Sequence, residues 1–186
     1  MSAALVWFRR DLRLQDNPAL EAALEAGHIP VPVYIHAPDE EGAWAPGGAS
    51  NAWLHRSLAA LDADLRARGS VLVVRQGDSQ AQLQALIEET GAEAVYWNRK
   101  YEPATQPRDA RIKRELRGQG IDANSCNGSL MFEPWDIATL QGGPYKVFTP
   151  FWRNALTRMH IRAAARLPQS LPAHAATGVA LHTLGL

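Results

Sequence analysis

A chain of 186 residues, 46% hydrophobic and 20% charged, holds enough apolar material for one globular core and too much to stay disordered. Lys and Arg (19) balance Asp and Glu (19), so the basic surplus with which a free-standing nucleic-acid binder neutralises phosphates is absent. The single cysteine, Cys126, cannot close an internal disulfide, the apolar run from Ala3 to Phe8 is too short for a signal-peptide core, and no stretch reaches membrane-spanning length, so the composition points to a soluble cytoplasmic protein.

The run from Ala3 to Phe8 is the first expected strand. Asn17-Pro18 pairs a helix cap with proline at the first helical position, and that helix runs to about Ala26, with Gly27 as its stop. Val31 to Ile35 forms a second strand, in which Pro32 marks the start. A loop rich in Gly, Pro and acid spans Ala37 to Ala49. Leu54, Leu58, Leu61 and Leu65 then recur at helical spacing up to Gly69. Val71 to Val74 is apolar throughout, as a central strand should be, and Ser79 with Gln82 reads as a capping box for a helix built on Leu83, Leu86 and Ile87. Ala94 to Trp97 gives a fourth strand, Thr105 to Arg117 a helix, and a fifth strand begins near Ile121. Thr149-Pro150 opens a last helix, expected to reach about Ala165. From Leu167 onward no charged residue and no recognisable element occurs, and 167–186 reads as a linker.

Five-fold alternation of strand and helix predicts an α/β fold: a Rossmann-like, doubly wound sheet of five parallel strands in the order 3-2-1-4-5, with helices on both faces. No Gly-x-Gly-x-x-Gly follows the first strand, and there is no Walker loop and no His/Cys cluster at metal spacing. The turn after strand one concentrates charge instead, with Arg9, Arg10, Arg13, Asp11 and Asp16 at the edge where open α/β sheets bind ligands. Two readings stay open there: a loop whose ion pairs fix its own conformation, favoured for Asp11 and Arg13, or a site for an anion. Trp7, Trp97 and Trp152 read as packing in or around the core, His55 as a surface or boundary residue, and Arg108, Arg111, Lys113, Arg114 and Arg117 as a solvated helix face.

Four ordered stretches together resemble one family. They are Trp7 to Leu20, the acidic loop Glu40 to Ser50 running into Trp53-Leu54, Val95 to Asn98 with Tyr101-Glu102-Pro103, and Pro144 to Trp152. This pattern is similar to the N-terminal domain of the DNA photolyase/cryptochrome family, nearest the plant-cryptochrome-like branch with its bacterial CPD photolyases. The resemblance implies an α/β antenna domain over residues 1–166, and a linker over 167–186 leading to an absent helical domain. That domain would hold FAD, bind damaged DNA and split pyrimidine dimers by light-driven electron transfer. The fragment alone is then expected to be inactive as a lyase and to bind neither FAD nor DNA strongly, its partner being its own missing C-terminal domain.

The same resemblance places an antenna chromophore at the ends of strands two and four, with Tyr34, His36, Trp44, Gly48, Asn98, Lys100 and Glu102 as binding residues. Glu102 matches an acidic position that contacts the antenna in relatives. Ala104-Thr105 replaces the Asn-Glu pair of familiar folate binders, while Lys100 and Gly48 depart from the deazaflavin pattern. The favoured occupant is a reduced folate, 5,10-methenyltetrahydrofolate, held in a different pose, with Lys100 as partner of its carboxylate. An empty pocket in a structural or interaction domain, and an adenine-nucleotide module, are the alternatives.

Overall fold

The computed structural model describes residues 2–166 and 168–186; the side chain of Trp44 lies outside that description. The chain divides into two compact units, Met1–Gly128 with Ala165–Leu186, and Ser129–Ala164. The first contains β1 (Ala3–Phe8), α1 (Pro18–Glu25), β2 (Ile29–His36), a 3₁₀ segment (Pro38–Trp44), α2 (Gly48–Arg66), β3 (Val73–Gln76), α3 (Ser79–Thr90), β4 (Ala94–Asn98), α4 (Thr105–Gly118) and β5 (Asp122–Cys126). All pairings are parallel and the order is β3-β2-β1-β4-β5, as the alternation predicts.

The two-residue period of β1 divides the core. Ala4, Val6 and Phe8 face α1 and α2, meeting Leu20, Ala23, Leu58, Leu61 and Leu65. Leu5 and Trp7 face the other way, toward Leu83, Leu86 and Ile87 of α3 and Ile112 and Leu116 of α4. Covered on both faces, β1 is therefore apolar without alternation. Each leucine so buried contributes roughly 1.5–3 kcal/mol relative to exposure.

Local signals and long-range contacts meet at several places. Asn17 caps α1 as expected, its side chain accepting from the Leu20 amide, and Gly27 follows the helix at φ +78°. β2 starts earlier than expected and contains Pro30 and Pro32. Ile29 donates to Ser2 on the β1 side, so the prolines turn their missing N–H groups the other way, where β3 begins only opposite Val33. No ladder bond is forfeited. The capping box at Ser79 does not form. Asp78 is the cap, accepting from Ala81 at 2.8 Å, while Ser79 donates through its amide and hydroxyl to Glu40.

The expectation of a central strand at Val71–Val74 is corrected: β3 lies at the sheet edge and runs Val73–Gln76. Its apolar character has another cause. The segment 168–186 packs back onto the first unit, with Val179 donating to the Val74 carbonyl at 2.9 Å and Leu171 and Leu184 buried in the α1/α2 cluster. Gly178 lies so close to β3 that a Cβ there would sit 2.5 Å from the Val74 nitrogen. The stretch read as a linker thus includes a strap over the sheet edge, and a 3₁₀ turn, Leu181–Leu184, that sequence patterning missed.

In the second unit α5 runs Phe148–Arg158, ending short of Ala165. Trp152 is not a core residue: it is 40% exposed and stacks on Phe148 at 6.1 Å. Trp7 and Trp97, by contrast, are buried edge to face in the first unit. No helix among the described residues is long and apolar enough to cross a membrane.

Candidate functional site

Parallel strands end together, and loops leave the ends of β1 and β2 toward α1 and the 3₁₀ segment. Between them lies an open cleft of about 910 Å³. Trp7, Tyr34 and His36 come to it from the strands, Arg9, Arg10 and Arg13 from the β1–α1 loop, and Glu41 from the 3₁₀ segment. Ser50, Trp53 and Ser57 of α2 line another side, and Lys100 enters just after β4.

Of the residues expected here, the structure brings Tyr34, His36 and Lys100 to the cleft. The backbone of Trp44 ends the 3₁₀ segment, and its side chain is not described. Gly48 is the first residue of α2, one position before the lining residues Ala49 and Ser50. Asn98 and Glu102 are not lining residues. Asn98 is buried, donating its amide to Asp11 at 2.6 Å and to Asn17 at 2.8 Å, and Gly128 packs so tightly on it that a Cβ would meet Asn98 at 2.5 Å. Glu102 instead pairs with Arg10 at 2.5 Å. Sequence patterning missed Glu41 and Trp53 as lining residues, although both lie in the quoted acidic-loop motif; it noted Arg10 only as part of a charged turn.

Charge around the cleft is arranged in two layers. Beneath it Arg9 donates to Asp109 and to the Asn98 carbonyl, and Arg108 joins Asp109 and Glu40. Both guanidinium groups stack on Trp7, at 4.7 and 5.4 Å from its ring centre. Burial pushes the Arg9 pKa down, opposed by Asp109. Burial works against Arg108 as well, but Asp109 and Glu40 outweigh it and its pKa is raised. Asp11 accepts from the Arg9 amide, and Arg13 donates to the Asp16 carbonyl, so at these two residues the loop does fix its own conformation.

At the cleft surface Lys100 Nζ meets Glu41 Oε1 at 2.5 Å, and Arg10 lies 3.7 Å from Glu41. Burial lowers the Lys100 pKa despite this bond and attraction. Burial pushes the Tyr34 hydroxyl up to about 12, with the Glu41 charge adding to the shift. For Glu102 burial acts upward, but a backbone hydrogen bond, Arg10, Lys100 and Thr105 prevail and lower it. His36 is lowered by burial. Five cations (Arg9, Arg10, Arg13, Lys100, Arg108) against two carboxylates (Asp11, Glu41) make the lining basic, while Asp109, Glu40 and Glu102 just behind it pair with Arg9, Arg108 and Arg10.

Residues 4–173 match the family model described as DNA photolyase. The chain belongs to this family, as its N-terminal α/β domain. A deoxyribodipyrimidine photo-lyase of Agrobacterium fabrum is 47% identical over 169 residues, 91% of this chain and 35% of the relative. Cryptochrome-1 of Arabidopsis thaliana is 41% identical over 166 residues, 89% of this chain and 24% of that protein. A crystal structure of a class III photolyase from Agrobacterium tumefaciens superposes with a TM-score of 0.89 at 42% identity, covering 98% of this chain and 38% of that one. The chain thus spans about a quarter to two fifths of the length of these photolyase-family relatives. Members of the family bind antenna chromophores and FAD.

Proposed function

We propose that this domain holds the light-harvesting chromophore of a photolyase or cryptochrome that repairs pyrimidine dimers or senses light in the cytoplasm. The favoured chromophore is a reduced folate, 5,10-methenyltetrahydrofolate. FAD and the DNA groove would belong to a C-terminal helical domain joined through the stretch after residue 166. One observation carries the reading: a cleft of about 910 Å³ at the strand ends combines aromatic walls with a basic lining. A folate needs both, a flat surface for its ring and cations for its glutamate tail. Among the described residues the His36 imidazole has no hydrogen-bond partner, and at the cleft wall it is a group that a polar heterocycle can satisfy.

In this reading Tyr34, His36 and Trp53 flank the ring, while Lys100 and Arg10 face its carboxylates; Asn98 and Glu102 act behind them by holding Asp11 and Arg10. When bound, the folate supplies near-ultraviolet absorption and passes excitation to the flavin. The protein's residues orient it and shield it from water.

Titration of the purified chain with the folate, followed by fluorescence, tests the assignment. Lys100→Ala, removing a charged partner worth on the order of 2 kcal/mol, weakens binding roughly thirtyfold. Arg117→Ala, on the outer side of α4, leaves it unchanged. Equal losses in the two variants, or no wild-type affinity at millimolar folate, reject the placement and leave a scaffold domain with an unused pocket.

A further inference from the structure

Glu40 and Glu41 are neighbours in the 3₁₀ segment, but their side chains do opposite things. Glu40 turns away from the cleft. One of its oxygens accepts from the Ser79 amide at 2.6 Å, the other from the Ser79 hydroxyl at 2.7 Å and from Arg108 at 2.8 Å. That set pins the segment to the start of α3 and to α4. Glu41 turns into the cleft, where it is partly buried and takes Lys100 at 2.5 Å and Arg10 at 3.7 Å. The Lys100 side chain is 8% exposed, so the pair is poorly screened by solvent.

The backbone breaks next to this carboxylate. Gly42 has φ +60° and ψ −135°, a conformation open in practice only to glycine, and it interrupts the 3₁₀ segment. Glu41 therefore sits between an anchored residue and a glycine kink. Its position is the one from which a carboxylate can leave Lys100 while the rest of the segment stays tied through Glu40.

We infer that Glu41 is a resident counter-ion, a carboxylate of the protein standing where an anionic ligand's carboxylate or phosphate binds, and that such a ligand must displace it from Lys100 and Arg10. This rests on the cleft being the chromophore site, but its chemistry is that of any anion. Glu41 then sets ligand choice. A neutral heterocycle gains nothing by displacing it, whereas a ligand with one or more negative groups replaces the pair with its own. A site that spends nine tenths of its time closed by Glu41 binds about tenfold more weakly than the open site.

The experiment compares the wild-type chain with Glu41→Gln, using three probes: 5,10-methenyltetrahydrofolate, inorganic pyrophosphate, and a pterin lacking the glutamate tail. Circular dichroism melting confirms that the variant folds, and Glu41→Ala carries the same expectation. Glu41→Gln binds the folate and pyrophosphate about tenfold more tightly, the tail-free pterin as the wild type does, and Glu41→Gln with Lys100→Met loses the gain. Unchanged or weaker anion binding in Glu41→Gln overturns the inference. So does an equal gain for the tail-free pterin, which would mean that Glu41 acts by occupying space. Failure of every anion to bind either protein overturns it as well. A gain for pyrophosphate with no folate binding to either protein upholds the counter-ion and rejects the folate.

Discussion

The two edges of the sheet are closed by different means. At β3 the cover is main chain: Val179 donates to the Val74 carbonyl, Gly178 lies against the Val74 backbone, and Leu171 and Leu184 anchor the strap in the core. At β5 the cover is side chain. The outward carbonyls of Ser125 and Ala123 accept from Arg99 at 2.7 Å and Arg117 at 3.1 Å. Both devices block pairing with another strand, but by different physics. The strap gains most of its hold from buried apolar area, with Arg68 on the Pro168 carbonyl and Glu89 on the Thr177 amide adding to it, and requires backbone contact that only glycine permits at one point. The arginines hold single carbonyls near solvent, where charge, water and salt all compete.

The largest effect is expected from breaking the strap at its tightest contact. Gly178→Ala forces a Cβ to 2.5 Å from backbone that cannot move aside, and lowers stability by about 2–3 kcal/mol. Urea unfolding measures it, and a loss below about 0.5 kcal/mol, the size of an ordinary surface change, would show that the strap does not close on β3 as described. A smaller effect is expected at the opposite edge. Arg99→Ala with Arg117→Ala removes hydrogen bonds to partly buried edge carbonyls and costs roughly 1 kcal/mol each. The same melts at low and high salt sharpen the contrast, because the β5 edge rests on charge while the strap rests mainly on buried apolar area.

Acid gives the third and smallest effect. His36 ends β2 and is paired in register with Gln76 of the strapped strand. Burial lowers its folded pKa below the ordinary value of about 6.5, so the unfolded chain takes up the proton first. Stability supported by the neutral imidazole is complete above about pH 6.5 and falls as pH drops from there toward the folded pKa. His36→Gln should flatten the decline between pH 7 and pH 5. An unchanged slope would assign the acid sensitivity to other groups.

Much of the architecture is legible in residues that act locally or on both faces of the sheet. Asn17-Pro18 is a self-contained helix start, and the unbroken apolar run of β1 announces a strand covered on both sides. Val71 to Val74 misleads for the same reason: a strap from a hundred residues on buries an edge strand as thoroughly as a neighbouring strand would. Ser79 misleads because its partner, Glu40, lies across the fold. In the cleft, Tyr34, His36 and Lys100 were within reach of a rule, since they leave strand ends on the ligand-binding side. Asn98 obeys the same rule but is claimed by Asp11 and Asn17, a three-way contact that no spacing encodes. Glu41 becomes visible only when the kink at Gly42 and the anchoring of Glu40 aim it at Lys100.

The strap also sets a timetable. β3 is complete once Gln76 has emerged from the ribosome, yet its last partner, Val179, is made some hundred residues later. At a synthesis rate of about 5–20 residues per second, the open edge of β3 is exposed for roughly 5–20 seconds before the chain can cover it. During that interval the apolar Val73-Val74 end of β3, its outward Val74 carbonyl not yet covered, is open to pairing with a neighbour, and a chaperone gains by holding it. Ribosomes translating this domain on a shared message therefore face their greatest risk of cross-pairing at β3 before residue 179 emerges, and the arrival of the strap ends it.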